Sequence, residues 1–281
     1  MNIAFVLRAL DVLFEKFKDT AQGEAMLRRA VVMFMLKRRN VYEPVGSGTF
    51  VFHHGKLLIV SAAHVFEDLS GKGEVYLHVG VVNKIYDLGL SKVFLSKNLT
   101  ANRSEDPLDL GVMVVPDEII DDFNGKIIMV QEDMIETAKN KDQILFYQAI
   151  GYPASKNARR AEKSARTGTL FSPEVLVCSG SRKTAIDVSN KRFVETHNVI
   201  LDWNGKKNFD DDGVLVDAPK PNGVSGGIIQ GCFDYVPHSN GFYPTCAAGI
   251  ITGRDSSRKA MVGTRFSTIF EWFKLHPAMF T

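Results

Sequence analysis

What this chain has little of excludes whole classes. It has only three cysteines, Cys178, Cys232 and Cys246. So sparse and odd a set does not make a disulfide framework. Buried free thiols in a reducing compartment are expected instead. One bridge between Cys232 and Cys246, on neighbouring strands, is the minor alternative. Charge of one sign is also lacking: the net charge is +2 over 281 residues. No basic run interleaves with aromatics, so nucleic acid is not expected as a partner. Long apolar runs are absent. Ala30 to Leu36 is far shorter than the roughly 20 residues of a spanning helix, so no membrane span is expected. Asn2 to Leu13 is apolar but broken by Arg8 and Asp11, without a basic leader or a small-residue cleavage site. The chain is therefore read as cytoplasmic. It has no internal repeat and no low-complexity tract.

What remains is ordinary globular composition, 45% hydrophobic and 23% charged. The first 40 residues stand apart. Ile3, Val6, Leu7, Leu10, Leu13, Phe14 and Phe17 recur at helical spacing, and Gly23 breaks the pattern. A second apolar stretch, Met26 to Leu36, ends in Lys37, Arg38 and Arg39, cations that suit a helix C-terminus. Residues 1–40 are thus expected as an N-terminal extension of two helices. Their apolar faces pack on the rest of the chain or meet a regulatory partner or a second copy; the sequence weighs these evenly.

From Val41 the pattern changes to short strands punctuated by turn residues. Gly46 to Phe52 and Lys56 to Ser61 flank His53-His54-Gly55, a hairpin turn. Further strands are expected at Glu74 to Val79, Gly111 to Val115, Ile144 to Ile150, Thr167 to Leu170, Gly213 to Val216, Gly227 to Gln230, Thr245 to Thr252 and Met261 to Phe266. Strands this short and frequent indicate an all-β sandwich or barrel. Ser179 to Asp212 reads as a long polar surface connection with room for a short hairpin, and Asp210 to Asp212 as a solvated loop. Ser267 is a candidate cap for a final helix, Thr268 to Leu275.

Three segments carry chemistry. Ile59-Val60-Ser61-Ala62-Ala63-His64 runs a strand into small residues that present an imidazole at its end. Asp109-Leu110-Gly111-Val112 places a carboxylate before an apolar strand. Gly223-Val224-Ser225-Gly226-Gly227 surrounds one serine with glycines, which permit a backbone that aims two N–H groups at one point. A hydroxyl nucleophile, a base, an acid to orient the base and oxyanion donors are what acyl transfer needs. Each segment alone is weak; the set is specific. His53 and His54 lack metal-ligand spacing, and neither a metal nor a cofactor is expected.

These residues resemble the trypsin/chymotrypsin family of serine proteases, and within it the HtrA-like bacterial branch. The order His64, Asp109, Ser225 is the family's, as is the 45-residue step from histidine to aspartate. Gly46-Ser47-Gly48-Thr49-Phe50, Gly151-Tyr152-Pro153, the run Asp217 through Gly227 and Gly249-Ile250-Ile251-Thr252 extend the resemblance. It covers Val41 to the C-terminus and implies a protease domain over 41–281. That domain would be two six-stranded antiparallel Greek-key barrels, about 41–135 and 136–266, and a C-terminal helix over 267–276. It implies a serine endopeptidase that cuts protein or peptide through an acyl-enzyme intermediate. Ser225 would be the nucleophile, His64 the base, Asp109 its orienting acid, and the N–H groups of Gly223 and Ser225 the oxyanion hole. Pro219, Thr252, Gly253, Arg254 and Gly263 would line the substrate pocket. Arg254 or Arg265 would select an acidic side chain if either faced it, although both read more simply as surface arginines. The alternative function is a catalytically silent module that binds a peptide or partner protein.

Two departures matter. Many secreted relatives carry an aspartate before the serine that pairs with a new N-terminus after zymogen cleavage; here it is Val224. The peptide-binding domain that often follows the protease in the HtrA-like branch has no room in this chain.

Overall fold

The computed structural model describes residues 27–38, 41–80, 82–89, 92–97, 106–123, 125–168, 171–181, 193, 196–203, 208–209, 215–216, 222–233, 245–255 and 259–280. The first of the two expected N-terminal helices, Pro219 and Asp210 to Asp212 lie outside them.

The first antiparallel sheet has seven strands, one more than the expected barrel. They are β1 (Val31–Arg38), β2 (Val41–His53), β3 (Lys56–Ala62), β4 (Glu74–Val79), β5 (Lys84–Asp87), β6 (Val93–Leu95) and β7 (Leu110–Val114), in the order β5-β4-β1-β2-β3-β7-β6. The second helix expected near residue 30 is a correction: Val31–Arg38 is a strand, hydrogen-bonded to β2 on one side and β4 on the other. Its first six residues are buried. A strand covered on both faces reads as an unbroken apolar run, which periodicity alone does not separate from a buried helix. The boundary at residue 40 therefore falls inside this sheet. The hairpin between β2 and β3 turns at His54 and Gly55, both at positive φ, as a tight two-residue turn demands.

The second sheet is built from β8 (Phe146–Gly151), β9 (Leu176–Gly180), β10 (Asn198–Asp202), β13 (Ile228–Cys232), β14 (Thr245–Asp255) and β15 (Ala260–Arg265), in the order β10-β15-β14-β13-β8-β9. Between β10 and β13 in the chain, β11 (Asn208–Phe209) and β12 (Leu215–Val216) pair as a separate ribbon. β10 lies inside the stretch expected as surface connection. Short helices α1 (Ala63–Leu69) and α2 (Asp117–Ile120) belong to the first half of the chain. The longer α3 (Ala154–Thr167) follows β8, and α4 (Phe266–Leu275) closes the fold. α3 corrects the reading of Thr167 as the start of a strand. At α4, Ser267 lies within the first turn and does not cap it; the cap position is Arg265, without a side-chain hydrogen bond.

Apolar clusters fill both halves. Phe34, Phe50, Ile59 and Leu77 centre one, and Tyr147, Val199, Ile229 and Met261 another. His53 ends β2 among the rings of Phe270, Phe273 and Phe280, with centroids 5.1–5.3 Å away. This packs α4 and the residues after it against the first hairpin. The three cysteines are buried and free. Cys246 lies opposite Gly231 and Cys232 opposite Thr245, so the two thiols alternate to different faces of adjoining strands, and the bridge held as the minor alternative is not made. Burial pushes the Cys246 thiol up to about 12. No helix among the described residues is long and apolar enough to cross a membrane.

Arg265 is neither a pocket group nor a surface arginine. It is buried, and its guanidinium meets Glu136 at 2.5 Å. Glu136 also accepts from the Tyr147 hydroxyl at 3.2 Å and donates its N–H to the Ala247 carbonyl at 2.8 Å. The pair thereby ties the segment before β8 to the second sheet. Removing one member leaves the other charge buried. Arg265→Leu should lower unfolding free energy by about 3–5 kcal/mol, read by chemical denaturation. A loss under about 1 kcal/mol would contradict this role.

Candidate active site

The ladder between β3 and β7 builds the first part of the site. Ala62 lies opposite Leu110, so the residues just after one strand meet those just before the other. The Ala63 N–H continues the ladder to the Asp109 carbonyl at 2.8 Å. His64, the second residue of α1, then lies beside Asp109. Its Nδ1 stands 2.7 Å from Asp109 Oδ2, and its backbone N–H donates to Oδ1 at 3.2 Å. Asp109 is buried and has a φ of +42°, a left-handed conformation that aspartate tolerates better than most residues. Burial works against a charged His64. The hydrogen bond and charge of Asp109, helped by Asp68 and Glu67, outweigh it and raise the imidazole above its ordinary value.

The second sheet supplies Ser225, in the turn before β13. Gly223 and Gly226 flank it with φ of +91° and +86°. A side chain at Gly226 would strike the Ser47 carbonyl at 2.0 Å, and one at Gly223 would strike Ala154 at 2.5 Å. Only glycine serves at either place. Val224 is buried in the apolar cluster of Tyr147, Leu176 and Ile229.

His64, Gly223 and Ser225 line one cleft of about 380 Å³. Its other walls are Val45, Val65, Ile251 and Met261, with Asp68, Asn222, Gly253 and Arg254. Of the expected pocket residues, Gly253 and Arg254 face it. Gly263 does not: a side chain there would meet Ile229 and the Ile250 carbonyl, within the sheet packing. Met261, on the same face of β15 but nearer its end, reaches the cleft instead. Thr252 is buried where the β14–β15 register slips, and its neighbours Ile251 and Gly253 form the wall. Met261 was not singled out from sequence, and its apolar context carried no signal.

No protein-family model and no curated sequence matches this chain. Solved structures do. The VesB protease of Vibrio cholerae superposes with a TM-score of 0.50 at 12% identity over 89% of this chain. The chain spans 64% of the length of that structure. The thermostable serine protease AL20, from an extremophilic microorganism, gives 0.50 at 14% identity over 87% of this chain and 94% of its own. The likeness extends across the length of the chain, and what it shows is the fold: two antiparallel sheets in the chymotrypsin-like arrangement.

Proposed function

We propose that the protein is a serine endopeptidase acting through an acyl-enzyme. One observation carries the reading: the 2.7 Å His64–Asp109 pair shares a cleft with Ser225 and its glycine-held backbone. Asp109 accepts from Nδ1–H and so leaves Nε2 as the base. His64 takes the Ser225 proton as Oγ attacks the scissile carbonyl. The N–H groups of Gly223 and Ser225 receive the oxyanion, and His64 passes its proton to the leaving amine. This division of labour is that of Ser-His-Asp triads in general. Buried free thiols fit a reducing, cytoplasmic setting. Kinship with the HtrA-like branch rests on the motifs around Ser47, His64 and Ser225. The test is labelling by a fluorophosphonate at neutral pH together with casein hydrolysis. Labelling confined to Ser225, with cleavage, supports the reading. An unlabelled, folded protein supports the peptide-binding module instead.

The cleft also points to a substrate preference. Asp68 is paired with Lys72 at 2.8 Å, whereas Arg254 is exposed on the wall with no ion pair among the described residues. Ile251 and Met261 make the adjoining wall apolar. Arg254 therefore favours a carboxylate beside the scissile residue. Arg254→Glu should shift the ratio of kcat/KM for acidic over basic peptides by about 10-fold towards basic. An unchanged ratio in a peptide library would remove Arg254 from recognition.

A further inference from the structure

The serine turn lacks the ion pair that orders it in many secreted relatives, so something else must hold its two N–H donors. Each belongs to a planar trans peptide, in which N–H and C=O point to opposite sides. Holding the carbonyl therefore aims the N–H. The Asn222 carbonyl, opposite the Gly223 N–H, accepts from the Ala154 N–H at 2.7 Å. The Val224 carbonyl, opposite the Ser225 N–H, accepts from the Gly227 N–H at 2.9 Å.

The next layer of contacts comes from the other sheet. The Ser47 hydroxyl accepts from the Tyr152 N–H at 2.8 Å and donates to the Gly223 carbonyl at 3.0 Å. With both roles filled, its hydrogen has one direction. The Ser47 N–H donates to the Ser225 carbonyl at 2.8 Å. The Thr49 hydroxyl donates to the Gly226 carbonyl at 3.0 Å. That carbonyl shares a peptide with the Gly227 N–H, which holds Val224. Ser47 and Thr49 are fully buried, so water does not compete.

The pattern along β2 is telling. Ser47 and Thr49 alternate onto the face toward the serine turn. Gly48, between them, faces Phe34 and Ile59, where a side chain would meet the latter at 2.5 Å. Apolar side chains at 47 and 49 would suit a buried strand better, because a buried hydroxyl is tolerated only when hydrogen-bonded. Both hydroxyls spend their hydrogens on carbonyls of the serine turn.

We propose that the Ser47 and Thr49 hydroxyls are positioning groups that aim the oxyanion-hole N–H groups of Gly223 and Ser225. This rests on the protease reading above. The experiment compares Ser47→Ala, Thr49→Val and Thr49→Ser with Ser61→Ala. Ser61 is an equally buried hydroxyl that donates to the Ser47 carbonyl at 2.7 Å, not to the serine turn. Casein kcat, casein KM and the rate of phosphonylation by a fluorophosphonate are measured, with folding followed by calorimetry. In Ser47→Ala and Thr49→Val, kcat and phosphonylation should fall together about 10- to 100-fold, with KM within about twofold. Thr49→Ser, which keeps the hydroxyl, should hold near the wild-type rate, and Ser61→Ala within about threefold. Equal losses in Ser61→Ala and the two test variants, losses that track the unfolded fraction, or unimpaired rates overturn the proposal. Should Ser47→Ala not fold, the Thr49 pair decides. A wild type that neither labels nor cuts overturns the protease reading and this one with it. An active wild type with unimpaired variants overturns this one alone.

Discussion

Ser225→Ala is expected to lower turnover on the order of a millionfold while leaving the fold intact. The two halves of that expectation come from different atoms. The Ser225 hydroxyl is the proposed nucleophile, in a cleft that His64 also lines, and alanine deletes it. The backbone of the residue is what holds the turn, through its carbonyl to the Ser47 N–H at 2.8 Å, and alanine keeps that. Gly223 and Gly226 retain their conformations because the substitution adds no bulk. Casein hydrolysis should vanish, fluorophosphonate labelling should vanish with it, and the thermal midpoint should stay within a degree or two of wild type. Residual cleavage at the wild-type rate would mean that the nucleophile lies elsewhere.

Asp109→Asn is the second large expected effect, about 10⁴-fold in kcat, the cost of losing the orienting carboxylate in a Ser-His-Asp triad. Asparagine is the informative replacement here. The φ of +42° at position 109 strains most side chains but is accessible to asparagine. Its Oδ1 can still accept from the His64 backbone N–H. The other arm now donates where a carboxylate accepted, so Nδ1 of His64 becomes the acceptor and Nε2 carries the proton. A base protonated on the side facing Ser225 cannot take another. The same change removes the hydrogen bond and charge that raise the imidazole. In wild type, activity is expected to require neutral His64 and to be lost as pH falls through a value above that of an ordinary imidazole. In Asp109→Asn the acid limb of the remaining activity should move to lower pH. A rate-against-pH profile checks this, and a limb that stays in place would show that Asp109 does not set the charge of His64.

How far the chain could be read without coordinates depended on which side chains carried the pattern. His64 and Asp109 were legible because each sits at the end of an apolar strand, and the ladder that joins those strands brings them together. The tight turn around Ser225 was legible because glycines are needed where it crowds the neighbouring sheet. β1 was not, since an unbroken apolar run has no period to distinguish strand from helix. α3 escaped because only Asn157 and Ala161 of its fourteen residues are buried, leaving almost no apolar stripe to see. β10 was hidden in polar surroundings, its apolar centre of Val199, Ile200 and Leu201 being too short to stand out. The cleft wall was read from the family resemblance, which put Gly263 where Met261 reaches. Arg265 looked like any other arginine; its partner Glu136 lies more than a hundred residues away, and no local signal joins them. The paired hydroxyls of β2 looked like an ordinary small-residue strand until their carbonyl partners were in view.

The place of β1 has a consequence for where this chain tolerates interruption. Among the described residues it alone bridges β4 and β5 to the rest of the first sheet. Removing residues 1–40 would take β1 away and leave a two-strand ribbon and a four-strand remnant, each with a bare edge open to other chains. A truncation that spares this sheet therefore has to stop ahead of Leu27, since Leu27 and Ala30 are themselves buried in the core.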